Sequence, residues 1–192
     1  MSAEPTERVE VTCETEVDDE TARHYYELYR RTFGELATKA VARQLLHEHE
    51  FLEEMRDPRV EKYVARDAAG AAIGMTTLTR HLETVPWISP EYFAHHYPEH
   101  TARGAVFYLG FTLVERSRRS ARVFQAMIAR AARVVVAERG VCAWDICRHN
   151  DETFDFGESI EALLQRTAEV TVAPIDRQTY YAGTFTGHPP QA

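Results

Sequence analysis

The segment from Ala105 to Cys147 constrains the fold more than any other part of the sequence. It opens with AVFYLGFTLV, a near-continuous apolar run that predicts a strand buried on both faces. An apolar-striped helix is predicted from Ser120 to Arg139, Gly140 ends it, and VCAWDIC predicts a second buried strand. Two strands joined by one crossover helix pair in parallel, with a right-handed connection. The sequence therefore predicts an α/β fold built around this unit.

The other predicted elements surround this unit with hairpin-like strands and further helices. The order is strand, two helices, two strands, an irregular loop, the β-α-β unit, a short helix and two last strands. Such an order predicts a mixed sheet with helices on both faces. The flanking elements are a strand at Val9–Cys13, a helix over TARHYYELYRRTF capped by Asp18 or Asp19, a helical region from about Glu35 to Arg56, a hairpin of Val60–Arg66 with Ala72–Leu82, a helix started by Ser89 and stopped by Pro98, a helix over ESIEALLQRTA, and strands in EVTVAP and QTYYAGTF.

Length and charge limit the classes of protein to consider. The 192 residues fit one domain, which we place at 9–185 between a flexible acidic segment 1–8 and a flexible tail 186–192. A net charge of −8 argues against a nucleic-acid partner, and no apolar run is long enough to span a membrane. The first residues lack the features of a secretory signal, and the three cysteines fit reduced thiols. We therefore expect a cytoplasmic protein, and we leave a homodimer open.

Positive charge is concentrated where the central strand meets the helix. Residues 1–20 carry eight acids and one base, whereas 116–139 carry seven arginines and one glutamate. Free backbone N–H groups and the positive end of the helix dipole meet at this turn, so it is a ready site for an anion. A solvated basic turn is the alternative, but four arginines there predict a phosphate-bearing ligand. They are Arg116, Arg118, Arg119 and Arg122.

The element order and this turn resemble the GNAT superfamily of acyl-CoA-dependent N-acyltransferases. In that family a pattern like V-x-P-x-x-R-G-x-G-x-G ends the central strand, and the next helix cradles the coenzyme A pyrophosphate. The pattern begins here at Val114 and places its arginine on Arg119. The resemblance implies a centrally splayed sheet and acetyl-CoA, or a longer acyl-CoA, as co-substrate. It implies cofactor contacts at Leu113, Val114, Arg118, Arg119, Ser120, Ala121, Arg122, Val123 and Asn150.

The turn departs from the family pattern at its glycines and its proline. Ser120, Arg122 and Phe124 stand where the family has glycines, and Arg116 stands at the proline. Glycine lets a phosphate approach the backbone closely. This turn must therefore hold phosphate through side chains or hold it weakly. The second case corresponds to a non-catalytic acyl-CoA-binding or interaction module of the same fold.

Acyl transfer to an amine requires a base, a stabilised thioester oxygen and a leaving thiolate. The resemblance implies that a backbone amide of the central strand polarises the carbonyl beside a bulge, and Gly110 marks that place. The candidate bases flank the predicted gap: Glu115 at the end of one strand, and Asp145 and His149 on or near the other. Ordinary structural roles remain open for all three. A tyrosine acid could come from Tyr180 or Tyr181.

The irregular stretch ETVPWISPEYFAHHYPEHTARG is rich in aromatic residues and lies before the central strand. It is either a satellite core or the wall of an acceptor or acyl-chain pocket, with Trp87 as a candidate lining residue. Such a loop resembles that of GNAT relatives which make N-acyl amino acids or acyl-homoserine lactones. This resemblance leaves open that an acyl carrier protein, rather than coenzyme A, donates the acyl group to the amine acceptor. The histidines have no metal-site spacing, so we expect no metal.

Overall fold

The computed structural model describes residues 9–42, 45–115 and 120–184. Five strands form one sheet in the order β1-β2-β3-β4-β5, and each neighbouring pair is antiparallel except β4 with β5, which is parallel. The parallel pair brackets the crossover helix, as the sequence predicts. The strands are β1 Glu10–Glu14, β2 Val60–Arg66, β3 Ala72–Thr79, β4 Val106–Val114 and β5 Val141–Ala143.

Helices cover both faces of the sheet. Helices α1 and α2 pack on one face, through a core that includes Tyr29, Phe51 and Leu113. Helices α5 and α7 pack on the other, through Phe107, Ile128 and Leu163. The helices are α1 Asp19–Phe33, α2 Glu48–Arg56, α3 Pro90–His96, α4 Pro98–Ala102, α5 Ser120–Ala137, α6 Arg148–Phe154 and α7 Phe156–Gln165. The predicted mixed α/β fold, with helices on both faces, is confirmed.

Several local predictions are confirmed because their signals are local. Asp18 caps α1, and its carboxylate accepts the backbone N–H groups of Glu20 and Thr21 at 3.0 Å each. The predicted stripe of α5 is buried at Val123, Met127 and other positions of that helix face. No helix within the described residues has the length and apolarity needed to cross a membrane.

The prediction of two last strands is wrong. The described residues 169–184 form no strand, and Val170, Ile175 and Tyr181 are exposed. A β-branched pattern becomes a strand only where a sheet edge accepts its backbone, and this segment pairs with none. It is tied to the domain by the Tyr92 hydroxyl, which donates to the Ile175 carbonyl oxygen at 3.2 Å.

The prediction of one long second helix is also wrong. A short 3-10 helix covers Gly34–Thr38, and α2 begins only at Glu48. It begins there because the Glu50 carboxylate accepts the N–H of His47 at 2.7 Å, which closes a capping box. The predicted stop at Pro98 is confirmed, because α3 ends at His96. Pro98 also opens α4, since proline at the first helical position lacks only an N–H that would have no partner. The second predicted buried strand is shorter than expected and ends at Ala143.

Candidate active site

Strand β4 contains a bulge at Gly110 and Phe111. Thr76 pairs with Thr112 and Leu78 pairs with Leu109, so two β4 residues lie opposite the single residue Thr77. The extra residue reverses the faces of the strand: Leu109 packs toward α5, whereas Phe111 packs toward α1 and α2. A bulge bends its strand and interrupts the ladder. The bulge that Gly110 suggests in the sequence is confirmed.

Only glycine fits at position 110. A Cβ built there would overlap the hydroxyl oxygen of Thr77. Thr77 is itself buried, at 2 % exposure, so it has little room to move. The backbone of β4 therefore approaches β3 more closely at Gly110 than any other residue type would allow.

Strands β4 and β5 separate just before this bulge. Their parallel pairing covers only Val106 to Tyr108 against Val141 to Ala143, while β4 continues to Val114. Beyond Tyr108 the structure records no strand on that side of β4 among the described residues. The result is a gap in the sheet, with the bulge on one of its walls.

A hydrogen-bonded group closes the inner end of this gap. The Tyr108 hydroxyl donates to Asp145 Oδ1, so β4 is joined directly to the segment that follows β5. The Trp87 indole Nε1 lies 3.1 Å from the Tyr108 hydroxyl oxygen and 3.3 Å from Asp145 Oδ1. Burial, and then the charge of Asp145, raise the pKa of Tyr108 well above its ordinary value. Tyr108 therefore keeps its proton, and Asp145 presents an exposed carboxylate at the gap.

Part of the predicted phosphate turn lies outside the described residues, namely Arg116, Arg118 and Arg119. The turn's flanks are described: the N–H of Glu115 donates to Ile73 O at 2.8 Å, and the Ser120 hydroxyl donates to Glu115 O at 3.0 Å. Helix α5 therefore starts directly beyond the end of β4, with its N-terminus at the same end of the strand as the open part of the gap.

The predicted cofactor residues on either side of the turn differ in exposure. Leu113 and Val123 are core residues at 1 % exposure each, so only their backbone could reach a ligand. Val114 is half-buried against the α5 core, and Ser120 is half-buried at the helix start. Ala121 and Arg122 are exposed in the first turn of α5, where a ligand at the helix N-terminus would meet them. Their contacts with a cofactor stay predictions.

The three predicted bases occupy separate places. Asp145 belongs to the group at the inner end of the gap, Glu115 is exposed at the end of β4, and His149 is half-buried in α6. No hydrogen bond or ion pair joins any two of them in the part of the chain that the structure describes. Asn150 also lies in α6, where its N–H donates to Cys147 O at 3.0 Å. The catalytic roles of these residues stay predictions.

One cluster of polar side chains is not apparent from the sequence. Glu54 of α2, Lys62 of β2 and Thr77 of β3 come together on the sheet face covered by α1 and α2. Lys62 is fully buried, and its Nζ donates to Thr15 O and Asp57 O at 2.8 Å each. The sequence signal for it is weak, because β2 has the sequence VEKYVAR and Lys62 is one of three charged residues in it. Glu54 follows Glu53 on an acidic helix, and nothing in the pattern separates the two.

An aromatic cluster borders the bulge on the same face. The Phe111 ring lies 4.9 Å from that of Tyr29 and 5.7 Å from that of Phe51, measured between centroids. The Tyr29 hydroxyl accepts the N–H of Leu46 at 3.0 Å, which fixes the segment before α2. The predicted aromatic loop is mostly a satellite core through Phe93 and its neighbours, but Trp87 is 55 % exposed. Within the described residues, no group of three or more histidine, cysteine or acidic side chains could hold a metal ion.

Comparison with known proteins identifies the fold. No family model matches the sequence, and no curated protein matches it. Among solved structures, ribosomal-protein-alanine N-acetyltransferase from Brucella melitensis biovar Abortus 2308 is 13% identical, with 92% of this chain and 100% of that chain covered and a TM-score of 0.50. A probable acetyltransferase is 11% identical over 91% of this chain and 99% of that chain, with a TM-score of 0.53.

A third similar structure was solved with coenzyme A. It is the aminoglycoside N-acetyltransferase AAC(6')-Iy, which is 14% identical over 90% of this chain and 97% of that chain, with a TM-score of 0.50. All three similar structures match nearly the full length of this chain. Their folds match the mixed five-stranded sheet of this chain with helices on both faces. The chain has the fold of the GNAT N-acetyltransferases.

Proposed function

We propose that this protein is an N-acyltransferase that moves an acyl group from a coenzyme A thioester to an amine. The observation that carries the proposal is the bulge at Gly110 beside the gap between β4 and β5, directly before the N-terminus of α5. This arrangement offers a slot for the pantetheine arm, an unpaired strand edge for the thioester and a positive helix end for the diphosphate.

The diphosphate would lie at the start of α5. This helix has 18 residues, and its first turn contains the exposed Arg122 and no acidic residue. The N-terminus of a helix directs backbone N–H groups and the positive end of its dipole at an anion, so this end of α5 suits phosphate oxygens. We propose that the side chains of Arg118 and Arg119 bind the diphosphate and so compensate for the glycines that this turn lacks. The co-substrate is then acetyl-CoA or a longer acyl-CoA.

The thioester would lie against the open edge of β4. A bulge turns successive backbone N–H groups in directions that a regular ladder does not allow. An N–H aimed into the gap stabilises the negative charge that develops on the carbonyl oxygen during attack. The amine nitrogen forms the new C–N bond, the C–S bond breaks, and the thiolate leaves. Direct attack by the amine needs no cysteine, and the described cysteines are free thiols.

The acceptor is a primary amine that is positively charged before it reacts. The exposed carboxylate of Asp145 and the exposed ring of Trp87 stand together at the gap and suit an ammonium group. The net charge of −8 favours a cationic partner as well. Two similar structures are named as acetyltransferases of an aminoglycoside and of a ribosomal-protein alanine, which are amine acceptors. We also place the protein in the cytoplasm, a location that its free thiols support.

A thiol-release assay tests this function. Purified protein is mixed with acetyl-CoA or palmitoyl-CoA and with kanamycin, a peptide with an N-terminal alanine, or spermidine. We expect release of free coenzyme A that depends on the amine, together with acylated product in the mass spectrum. A preference for palmitoyl-CoA, or for an acylated carrier protein, would favour the long-chain N-acyl amino acid synthase. Thioester binding without turnover would favour the non-catalytic module.

A further inference from the structure

The hydrogen-bonded group of Tyr108, Asp145 and Trp87 lies on a defined face of the sheet. Phe107 and Leu109, the strand neighbours of Tyr108, pack toward α5 and α7. Because successive side chains of a strand point to opposite faces, Tyr108 is directed to the face on which α1 and α2 pack. The Tyr108 hydroxyl donates to Asp145, so the carboxylate of Asp145 is presented at the gap on that same face.

Only one oxygen of this carboxylate is used within the described part of the chain. Oδ1 accepts the Tyr108 hydroxyl, and it lies 3.3 Å from Trp87 Nε1. Among the described residues, Oδ2 has no hydrogen-bond donor, and no basic side chain forms an ion pair with Asp145. Two donors fix Oδ1, so the carboxylate has a set orientation and Oδ2 is the oxygen that an incoming molecule meets. Asp145 is exposed, and such a molecule can reach it from solvent.

The exposed parts of the group suit a cation. Trp87 is 55 % exposed, and its ring stands edge-on to that of Tyr108 with 6.4 Å between the centroids. An aromatic face attracts an ammonium group, and a carboxylate oxygen accepts its N–H groups in charge-assisted hydrogen bonds. The group therefore offers an ammonium ion one carboxylate oxygen and one aromatic ring.

A nitrogen bound at Asp145 is unsuited to react. An opposite charge within about 4–6 Å favours the charged form of an amine, so an ammonium group bound to this carboxylate keeps its proton. A protonated nitrogen has no electron pair with which to attack a thioester. Gly110, at the bulge where the proposed function places the thioester, lies two residues beyond Tyr108, or about 6–7 Å along the strand. Binding and reaction therefore fall at separate places along β4.

We propose that Asp145 binds a second cationic group of the acceptor, one that is not acylated, and that Tyr108 is the positioning residue for Asp145. The inference rests on the proposed function, because it takes the thioester to lie at the bulge. It narrows the acceptor to amines with two positive charges, separated by about three to five methylene groups, which span a distance of that order at ordinary bond lengths. It assigns Asp145 to recognition of the acceptor rather than to removal of its proton.

A matched series of acceptors tests the substrate class on the wild-type protein. 1,4-Diaminobutane carries a second ammonium group, whereas 4-amino-1-butanol and n-pentylamine carry a hydroxyl and a methyl group at the same place. Turnover is measured with saturating acetyl-CoA at about pH 8, where alkyl amines are charged. We expect kcat/KM for the diamine to exceed that for either monoamine about tenfold or more, the usual effect of hydrogen bonds to a charged group. The difference should lie mainly in KM, because the contact is made before and during the reaction alike.

Asp145→Asn and Tyr108→Phe test the two residues. Asparagine has the same shape without the charge, so Asp145→Asn should lower the diamine-to-monoamine ratio of kcat/KM to about one. Tyr108→Phe keeps the carboxylate but removes a donor that orients it, so the ratio should fall several-fold. The Kd of acetyl-CoA should be unchanged in both, which a general loss of structure would not produce. The control is Asp155→Asn, which removes an exposed carboxylate elsewhere and should keep the ratio.

Other results would overturn the assignment. If wild-type protein uses the diamine and the monoamines equally well, it recognises no second cation, whereas the acyltransferase proposal stands. If Asp145→Asn keeps the preference for the diamine, another residue binds the second cation. If Asp145→Asn is unstable, Tyr108→Phe decides the part played by this group, and an unaltered ratio in that variant counts against it. If none of these amines is acylated the inference fails, and if no thioester is bound either, the proposed function fails with it.

Discussion

The hydroxyl group of Thr77 occupies the space into which a Cβ at Gly110 would project. Thr77 is buried, so its side chain has little room to move. The bulge on β4 is therefore fitted to one side chain of β3.

Gly110→Ala should destabilise the protein by about 1–3 kcal/mol, because the new methyl group overlaps Thr77 in a packed interior. Thr77→Ala should relieve much of that cost, since its β-carbon would remain at 3.6 Å, an ordinary contact. Urea unfolding of the two single variants and the double variant measures the coupling. Gly34→Ala is the control, because nothing lies within 4 Å of its new methyl group. Additive effects of the two substitutions would contradict the fit.

Tyr108→Phe should lower the free energy of unfolding by about 0.5–1.5 kcal/mol, the usual contribution of one hydrogen bond. It removes the hydrogen bond that joins Tyr108 of β4 to Asp145, which follows β5. Tyr97→Phe is the control, because the Tyr97 hydroxyl donates to no acceptor among the described residues. Thermal unfolding and the Kd of acetyl-CoA should be measured for both. Equal stability of the two variants would show that the hydrogen bond between Tyr108 and Asp145 does not stabilise the inner end of the gap.

Trp87→Ala should weaken the binding of the amine acceptor without affecting the binding of the thioester. The ring is 55 % exposed, so its removal should cost little stability. We expect the KM for the amine to rise several-fold while the Kd for acetyl-CoA is unchanged. A variant with a lower melting temperature and unaltered amine kinetics would show instead that Trp87 only packs.

The contribution of Glu54 to stability should depend on pH in a defined direction. Its pKa is about 7 in the folded protein against an ordinary 4.5, so the folded state holds a proton that the unfolded state releases between these values. Stability therefore falls as pH rises from about 4.5 to about 7. The difference between wild type and Glu54→Gln should change by about 1–3 kcal/mol between pH 5 and 7.5 in urea unfolding. A difference that stays constant over this range would contradict the raised pKa.

The sequence predicts the parts of this fold that depend on local pattern. The apolar run at Ala105–Val114 and the stripe of α5 identify the central unit, and Gly110 marks the bulge within it. Each of these signals depends on residues that are close in the sequence, so it does not require knowledge of contacts with distant segments. The family resemblance then adds the gap between β4 and β5, which no local pattern encodes.

The rest could not be predicted because it depends on contacts between distant segments. EVTVAP has the composition of a strand, yet in the structure it has no edge to pair with. Glu53 and Glu54 are adjacent on α2, but Glu53 is exposed and Glu54 is half-buried. The surroundings of Glu54 include Lys62 of β2 and Thr77 of β3, which are distant from it in the sequence. Tyr108 and Asp145 are 37 residues apart in the chain, and the parallel strand pair brings them together.

The central claim is that the gap beside β4 and the start of α5 hold a coenzyme A thioester. Calorimetric titration of the purified protein with acetyl-CoA, at low and at high salt, tests it most directly. We predict saturable one-to-one binding that weakens several-fold as salt screens the phosphate contacts, and a smaller salt effect in Arg119→Ala. Absence of binding at both salt concentrations, for acetyl-CoA, palmitoyl-CoA and an acylated carrier protein alike, would contradict it.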